Sequence, residues 1–127
     1  MSRTALQTSN APAAIGSYSQ AIRSGNTVYL SGQIPLDPAT MEIVSGDVKA
    51  QVAQVFRNLA AVAAAAGSTL DAAVKLTVYL TDLAHFPYVN DAMAEVFTPP
   101  YPARATVQVS ALPRGALVEV DAVLVLD

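Results

Sequence analysis

The chain has 127 residues, enough for one hydrophobic core and too few to divide into two, so a single domain over residues 1–127 is expected. Apolar residues make up 53% of it and charged residues only 13%, too few to coat a lone globule, which points to surface buried in an oligomer. The net charge of -3, with its basic residues scattered, argues against a nucleic-acid partner, and the absence of cysteine excludes thiolate catalysis, disulfides and cysteine-based zinc sites.

The opening residues, MSRTALQTSNAPAAIGSYSQ, hold no apolar run of the signal-peptide kind, and no uncharged segment approaches the ~20 residues that cross a bilayer. A cytoplasmic protein with no membrane partner is therefore expected. After this polar lead, residues 19–24 and TVYLSGQIP read as a hairpin across the turn SGN, with alternation running from Thr27 until Gly32 breaks it. LDPATMEIVSGD is turn chemistry with a short extended piece, ending at an acidic helix start, Asp47. From Val48 the apolar positions Val52, Val55, Phe56, Leu59, Val62, Ala63 and Ala66 follow helical spacing, and Gly67 supplies a stop.

AVKLTVYLTDL alternates, with Val74, Leu76, Val78 and Leu80 on one face and Lys75, Thr77, Tyr79 and Thr81 on the other, the pattern of a strand. FPYVNDAMAEVF returns to helical spacing through Val89, Ala92, Met93, Val96 and Phe97, with Pro87 in the first turn and Pro99-Pro100 as terminator. Two further strands, ARATVQVSAL and ALVEVDAVLVL, are joined by a turn at residues 113–115. The order ββαβαββ describes an α+β domain in which two amphipathic helices cover one face of a sheet. Since AVLVL is apolar on both sides, the uncovered face is expected to meet another subunit.

Two opposite charges enter these last strands. Arg104 shares its face with Thr106 and Gln108, opposite Ala105, Val107 and Val109; Glu119 and Asp121 share a face with Val123 and Val125. The register between the strands is open at this level, so two readings stand. Arg104 is either a bidentate clamp for a ligand carboxylate, or the partner of Glu119 or Asp121 in a structural ion pair. Glu119 is either a solvated or paired carboxylate, or a general acid and base whose pKa partial burial lifts toward neutrality. In SGQIP, the amides of Ser31 and Gly32 stand where a strand ends, open to a ligand or simply part of a turn. His85, the only histidine, has no second ligand at metal spacing and reads as a loop residue. No GxGxxG, Walker loop, nucleophile elbow or HExxH occurs, so neither a cofactor nor a metal is expected.

Four stretches together, NAPAAIGSYSQAI, SGQIP, FPYVNDAM and YPARATVQVSALPRGALVEVDA, closely resemble the reactive imine deaminases of the RidA type in the YjgF family, over essentially the whole chain. The resemblance implies a chorismate-mutase-like α+β fold with a mixed sheet, assembled as a homotrimer with ligand clefts between subunits. It implies hydrolysis of 2-imino acids, such as 2-iminobutanoate and 2-iminopropanoate, to 2-keto acids and ammonia, without cofactor or metal. A trimer that binds or senses 2-keto acids without turnover, and a specialised deaminase such as one for aminomuconate, are the alternatives; RNA cleavage fits an acidic chain worst. By position, Arg104 matches the family's carboxylate-binding arginine and Glu119 the glutamate that handles water and imine protons. Tyr18 matches the cleft tyrosine, Asn90 a cleft polar residue, and Ser31 with Gly32 the wall whose amide helps hold substrate. Thr106 takes a cleft position that is Cys or Ala in other members, Ser17 replaces a usual proline before Tyr18, and Met41 replaces a turn glycine.

Overall fold

The computed structural model describes residues 2–127 of the chain. The first helix, α1 (Val48–Ala65), starts where the sequence places it because the Asp47 side chain accepts the Ala50 N–H at 3.1 Å, satisfying one of the helix's orphan donors. Its stripe of Val52, Val55, Leu59 and Val62 is wholly buried against a sheet. That sheet holds β1 (Thr4–Leu6), β2 (Ala21–Ser24), β3 (Thr27–Gln33), β4 (Ala73–Leu80), β5 (Ala103–Gln108) and β6 (Val118–Val125), with α2 (Phe86–Val96) between β4 and β5.

The spatial order is β1-β2-β3-β6-β4-β5. Every neighbouring pair is antiparallel except β4 and β5, which are parallel and joined by the α2 crossover, as a parallel pair requires. The helix-side face carries Val28, Leu30, Leu76, Val78, Leu80, Val118, Val120 and Leu124, all buried in one core with α1 and with Val89, Met93 and Phe97 from α2 and its end. Each such side chain contributes roughly 1.5–3 kcal/mol on burial, which makes this layer the main source of stability. The opposite face stays uncovered, with Tyr29, Val107 and Val125 exposed.

Three details depart from the periodicity of the sequence. An additional strand, β1, arises from the polar lead and pairs with β2 through Thr4↔Arg23 and Leu6↔Ala21, giving the order βββαβαββ. Val74 is exposed rather than in the core row of Leu76, Val78 and Leu80, because the β4–β6 register slips between Ala73 and Lys75 and leaves it as the extra residue. Val96, at the far end of the α2 stripe, is also exposed, and Phe97 packs in its place, its ring edge-on to Phe56 with centroids 6.3 Å apart.

Buried amides tie the loops to this scaffold. Asn58 on α1 donates to the carbonyls of Ile34 and Leu36, and Gln51 accepts the Leu117 N–H at 2.9 Å. Gln20 donates to the carbonyls of Thr8, Ala11 and Pro12 and accepts the Thr8 N–H, fixing the segment that leads to Tyr18. No helix is long and apolar enough to cross a membrane, and no group of His, Asp or Glu is arranged to hold a metal ion among the described residues.

Candidate active site

The register decides the relation of the two charges. On β4, Leu76 pairs with Arg104 of β5 and Tyr79 pairs with Glu119 of β6. Leu76 and Tyr79 are three residues apart and point to opposite faces, so Arg104 lies on the helix side of the sheet and Glu119 on the open side. An Arg104–Glu119 or Arg104–Asp121 ion pair within the protomer is therefore excluded. The ion-pair reading of Arg104 fails.

Glu119 sits in the middle of the sheet between β3 and β4. The ladder joins Leu30 to Ala122 and Gln33 to Val120, so Ser31 and Gly32 both stand opposite the single residue Asp121. This bulge keeps β3 in the sheet through Gln33, one residue beyond the glycine that was expected to break it. It also brings the Gly32 backbone against the Glu119 side chain. A Cβ on Gly32 would lie 2.9 Å from Cδ and 3.2 Å from Cγ of Glu119, and closer still to one carboxylate oxygen, so only glycine leaves the carboxylate its place.

Burial raises the Glu119 pKa, and the nearby Asp121 carboxylate raises it further. Asp121 is itself engaged: it accepts the Tyr79 hydroxyl at 3.1 Å, and burial, with that carboxylate second, pushes the Tyr79 phenol up as well. Glu119 thus lies in a cleft of about 380 Å³ with Tyr18 and Gly32, closed on its apolar side by Ile34 and Leu36. The Tyr18 hydroxyl accepts the Ile15 N–H at 3.4 Å, and half of the residue remains exposed.

Ser31 departs from the role its motif suggested. Its amide donates to the Gln20 carbonyl at 3.0 Å and its hydroxyl to the Ser19 carbonyl. It clasps the Tyr18 segment to β3 and its amide is not free for a ligand. Of the two amides singled out in SGQIP, that of Ser31 is taken, while Gly32 lines the Glu119 cleft.

Arg104 is built differently. It belongs to β5, an edge strand, and α2 holds it through side chains. Nη1 donates to Asn90 Oδ1 at 2.7 Å and approaches Met93 Sδ at 3.4 Å, while the guanidinium carbon lies 4.8 Å from the centre of the Phe86 ring. Asn90 is therefore the orienter of Arg104, and Nη2 and Nε keep no partner among the described residues. Arg104, Asn90 and Met93 line a separate open hollow together with Tyr101 and Pro102. Thr106, two residues along the same face, lines neither hollow, and its buried hydroxyl has no partner among the described residues.

Seven residues singled out by sequence thus divide into a carboxylate half, with Tyr18, Gly32 and Glu119 supported by Ser31, and a cation half, with Arg104 and Asn90 beside Thr106. Sequence reasoning passed over Gln20, Asn58 and Phe86, and weighed Asp121 only as an ion-pair partner for Arg104. The signal for Asn58 was present, since Gln54 and Asn58 are polar residues on the buried side of an apolar helix. The signal for Phe86 was absent, because it acts only through the tertiary approach of Arg104. His85 does not join either half; it ends a short 3-10 turn (Leu83–His85) ahead of α2, its ring 6.4 Å from that of Tyr88.

The chain is similar to known proteins over nearly its whole length. A profile described as Endoribonuclease L-PSP matches residues 8–126. Protein DfrA of Myxococcus xanthus is 55% identical over 127 residues, covering 98% of this chain and 97% of its own length. The 2-iminobutanoate/2-iminopropanoate deaminase of Mus musculus is 44% identical over 123 residues, covering 97% of this chain and 91% of its own. The crystal structure of RidA from an Antarctic Psychrobacter species superposes with a TM-score of 0.93 at 50% identity, covering 97% of this chain and 99% of that one. The protein accordingly belongs to the RidA/YjgF family that its four sequence stretches resemble, the family described as Endoribonuclease L-PSP.

Proposed function

We propose that the protein hydrolyses reactive 2-imino acids and their enamines, 2-iminobutanoate and 2-iminopropanoate among them, to 2-keto acids and ammonia. The reaction takes place in clefts between subunits of a cytoplasmic homotrimer. The observation that carries this reading is the division of the site: Arg104 and Glu119 stand on opposite faces of one sheet, each in a half-finished hollow. A symmetric assembly completes both halves when the edge strand of one protomer meets the Glu119 cleft of its neighbour. The uncovered face with Tyr29, Val107 and Val125 supplies apolar surface for that contact. The named imine deaminase among the relatives supports the chemistry.

In the completed cleft, Arg104 offers N–H groups to the substrate carboxylate and the Gly32 amide donates to it. The C2 imine then lies beside a water held by Glu119. Glu119 takes a proton from that water as its oxygen bonds to C2, and the C=N electron pair moves to nitrogen, which receives that proton from Glu119. The resulting carbinolamine loses its hydroxyl proton as the C–N bond breaks, so that a carbonyl forms and nitrogen leaves as ammonia. One water is consumed and Glu119 returns to its first state. Its raised pKa suits a group that must both take and give a proton. Positioning supplies most of the acceleration, because the imine is already reactive toward water.

The test generates 2-iminopropanoate and 2-iminobutanoate in situ with an amino acid oxidase and lets semicarbazide compete for the imine. Wild-type protein is expected to divert imine to keto acid. Arg104→Ala is expected to lose roughly ten- to a hundredfold or more of that rate, the worth of its charge-assisted bonds. No acceleration by wild type, combined with tight keto-acid binding, would make the cleft a binding site without turnover.

A further inference from the structure

We propose that Arg114 reads a second acidic group on the substrate, so that the preferred substrates of this cleft are 2-imino dicarboxylic acids. The inference rests on the reading that the Glu119 cleft holds a 2-imino acid, and it deepens that reading by naming the side chain recognised. Arg114 lines the same hollow as Gly32 and Glu119, although it comes from the β5–β6 loop rather than from the sheet. Arg104 serves the carboxylate next to the imine. A substrate with one carboxylate gives the second cation nothing to bind.

Three observations favour a ligand for Arg114. Its backbone is in the left-handed region at φ 61, which favours glycine and costs an L residue free energy. Its guanidinium is anchored at one end only, Nη2 donating at 3.0 Å to the carbonyl of Met41, itself the other non-glycine residue with positive φ, at 60. That anchor is neutral, so the charge of Arg114 has no acidic partner among the described residues. The cleft that holds both Arg114 and Glu119 is lined mainly by apolar groups, Ile15, Ile34, Leu36 and Pro113 among them, and at about 380 Å³ it has room for a methylene spacer beyond a three- or four-carbon imino acid. A cation at the rim, an apolar stretch and a proton-handling carboxylate match a dicarboxylic imino acid from end to end.

The experiment compares kcat/KM for 2-iminoglutarate with kcat/KM for 2-iminobutanoate, both formed in situ, in wild type, Arg114→Gly and Arg114→Lys. Glycine suits the positive φ, so Arg114→Gly removes the cation without straining the loop. The dicarboxylate-to-monocarboxylate ratio is expected to fall roughly tenfold or more in Arg114→Gly, chiefly through KM, and to recover in part in Arg114→Lys. An equal ratio in wild type and Arg114→Gly overturns the proposal, as does a lysine variant no better than the glycine one. In parallel, titration calorimetry measures 2-oxoglutarate against 2-oxobutanoate. If wild type hydrolyses neither imine, the deaminase reading fails, and the titration still decides Arg114: a selective loss of 2-oxoglutarate affinity in Arg114→Gly supports it and equal losses refute it.

Discussion

The two halves of the site are secured by opposite means. Glu119 is carried by β6, with strands on both sides, and its place is set by backbone: the bulge at Ser31 and Gly32 on one flank and the Tyr79 pairing on the other. Arg104 is carried by the edge strand β5, and its place is set by side chains of α2, namely Asn90, Met93 and Phe86. In the proposed reaction Glu119 transfers protons, which demands a fixed distance to the reacting atoms, and a rigid central strand suits that demand. A carboxylate clamp tolerates more play, because its attraction falls off slowly with distance. Mutations should therefore act abruptly on the Glu119 half and gradually on the Arg104 half.

The largest expected effect tests whether the halves meet across subunits. Glu119→Gln should lower imine hydrolysis by about a hundredfold or more, since the amide cannot take the proton from water. Mixing unfolded Glu119→Gln and Arg104→Ala chains in equal amounts and refolding them together should restore activity, even though each variant alone is nearly inactive. In a ring of heterologous contacts about a quarter of the clefts would combine an intact Glu119 with an intact Arg104. A mixture as inactive as its parents would mean that one protomer supplies both residues, and the trimer reading of the site would fall.

Next in size is Gly32→Ala. No positive φ is found at Gly32, so the backbone accepts alanine, and the strain falls on the Glu119 carboxylate alone. We expect turnover to fall about tenfold as the carboxylate is displaced, with a melting temperature close to wild type. Wild-type turnover in this variant would show that the position of Glu119 is not fixed by its neighbour on β3. On the other half, Asn90→Ala removes one 2.7 Å bond to Arg104 but leaves Phe86 and Met93 in place. KM should rise roughly two- to tenfold with a smaller change in kcat. A collapse of kcat instead would assign Asn90 to the chemistry.

The same contrast explains what could be read from the sequence. The extent of α1, its Asp47 cap and the face shared by Glu119, Asp121 and Val123 follow from local periodicity, which survives folding because one face of each element is buried. The opposite sides taken by Arg104 and Glu119 do not, since β4 inserts between β5 and β6, and only the pairing of a strand more than twenty residues upstream relates the two. Bulges were equally hidden. One extra residue exposed Val74 and another lies at Ser31, which bonds the Gln20 and Ser19 carbonyls, with no local change of composition to mark either. The resemblance to RidA-type proteins singled out both charges, but a family pattern carries no statement of which face of the sheet each one takes.

The smallest effect concerns pH and sharpens the comparison most. Burial and Asp121 hold the Glu119 pKa above its ordinary range, so the folded chain binds this proton more tightly than the unfolded chain. The stability gained from the protonated form is fully present below the ordinary glutamate range and is lost as pH rises through the raised value. Glu119→Gln escapes that loss. Its thermal midpoint should exceed that of wild type modestly near neutral pH, and the two should converge as pH falls below the ordinary glutamate range. The opposite sign, with wild type the more stable at neutral pH, would mean that a neighbour's guanidinium compensates Glu119 in the assembled protein. Glu119 would then rest as a paired anion, Arg104 could not be free to receive substrate, and the two halves would be a closed ion pair until a ligand carboxylate separated them.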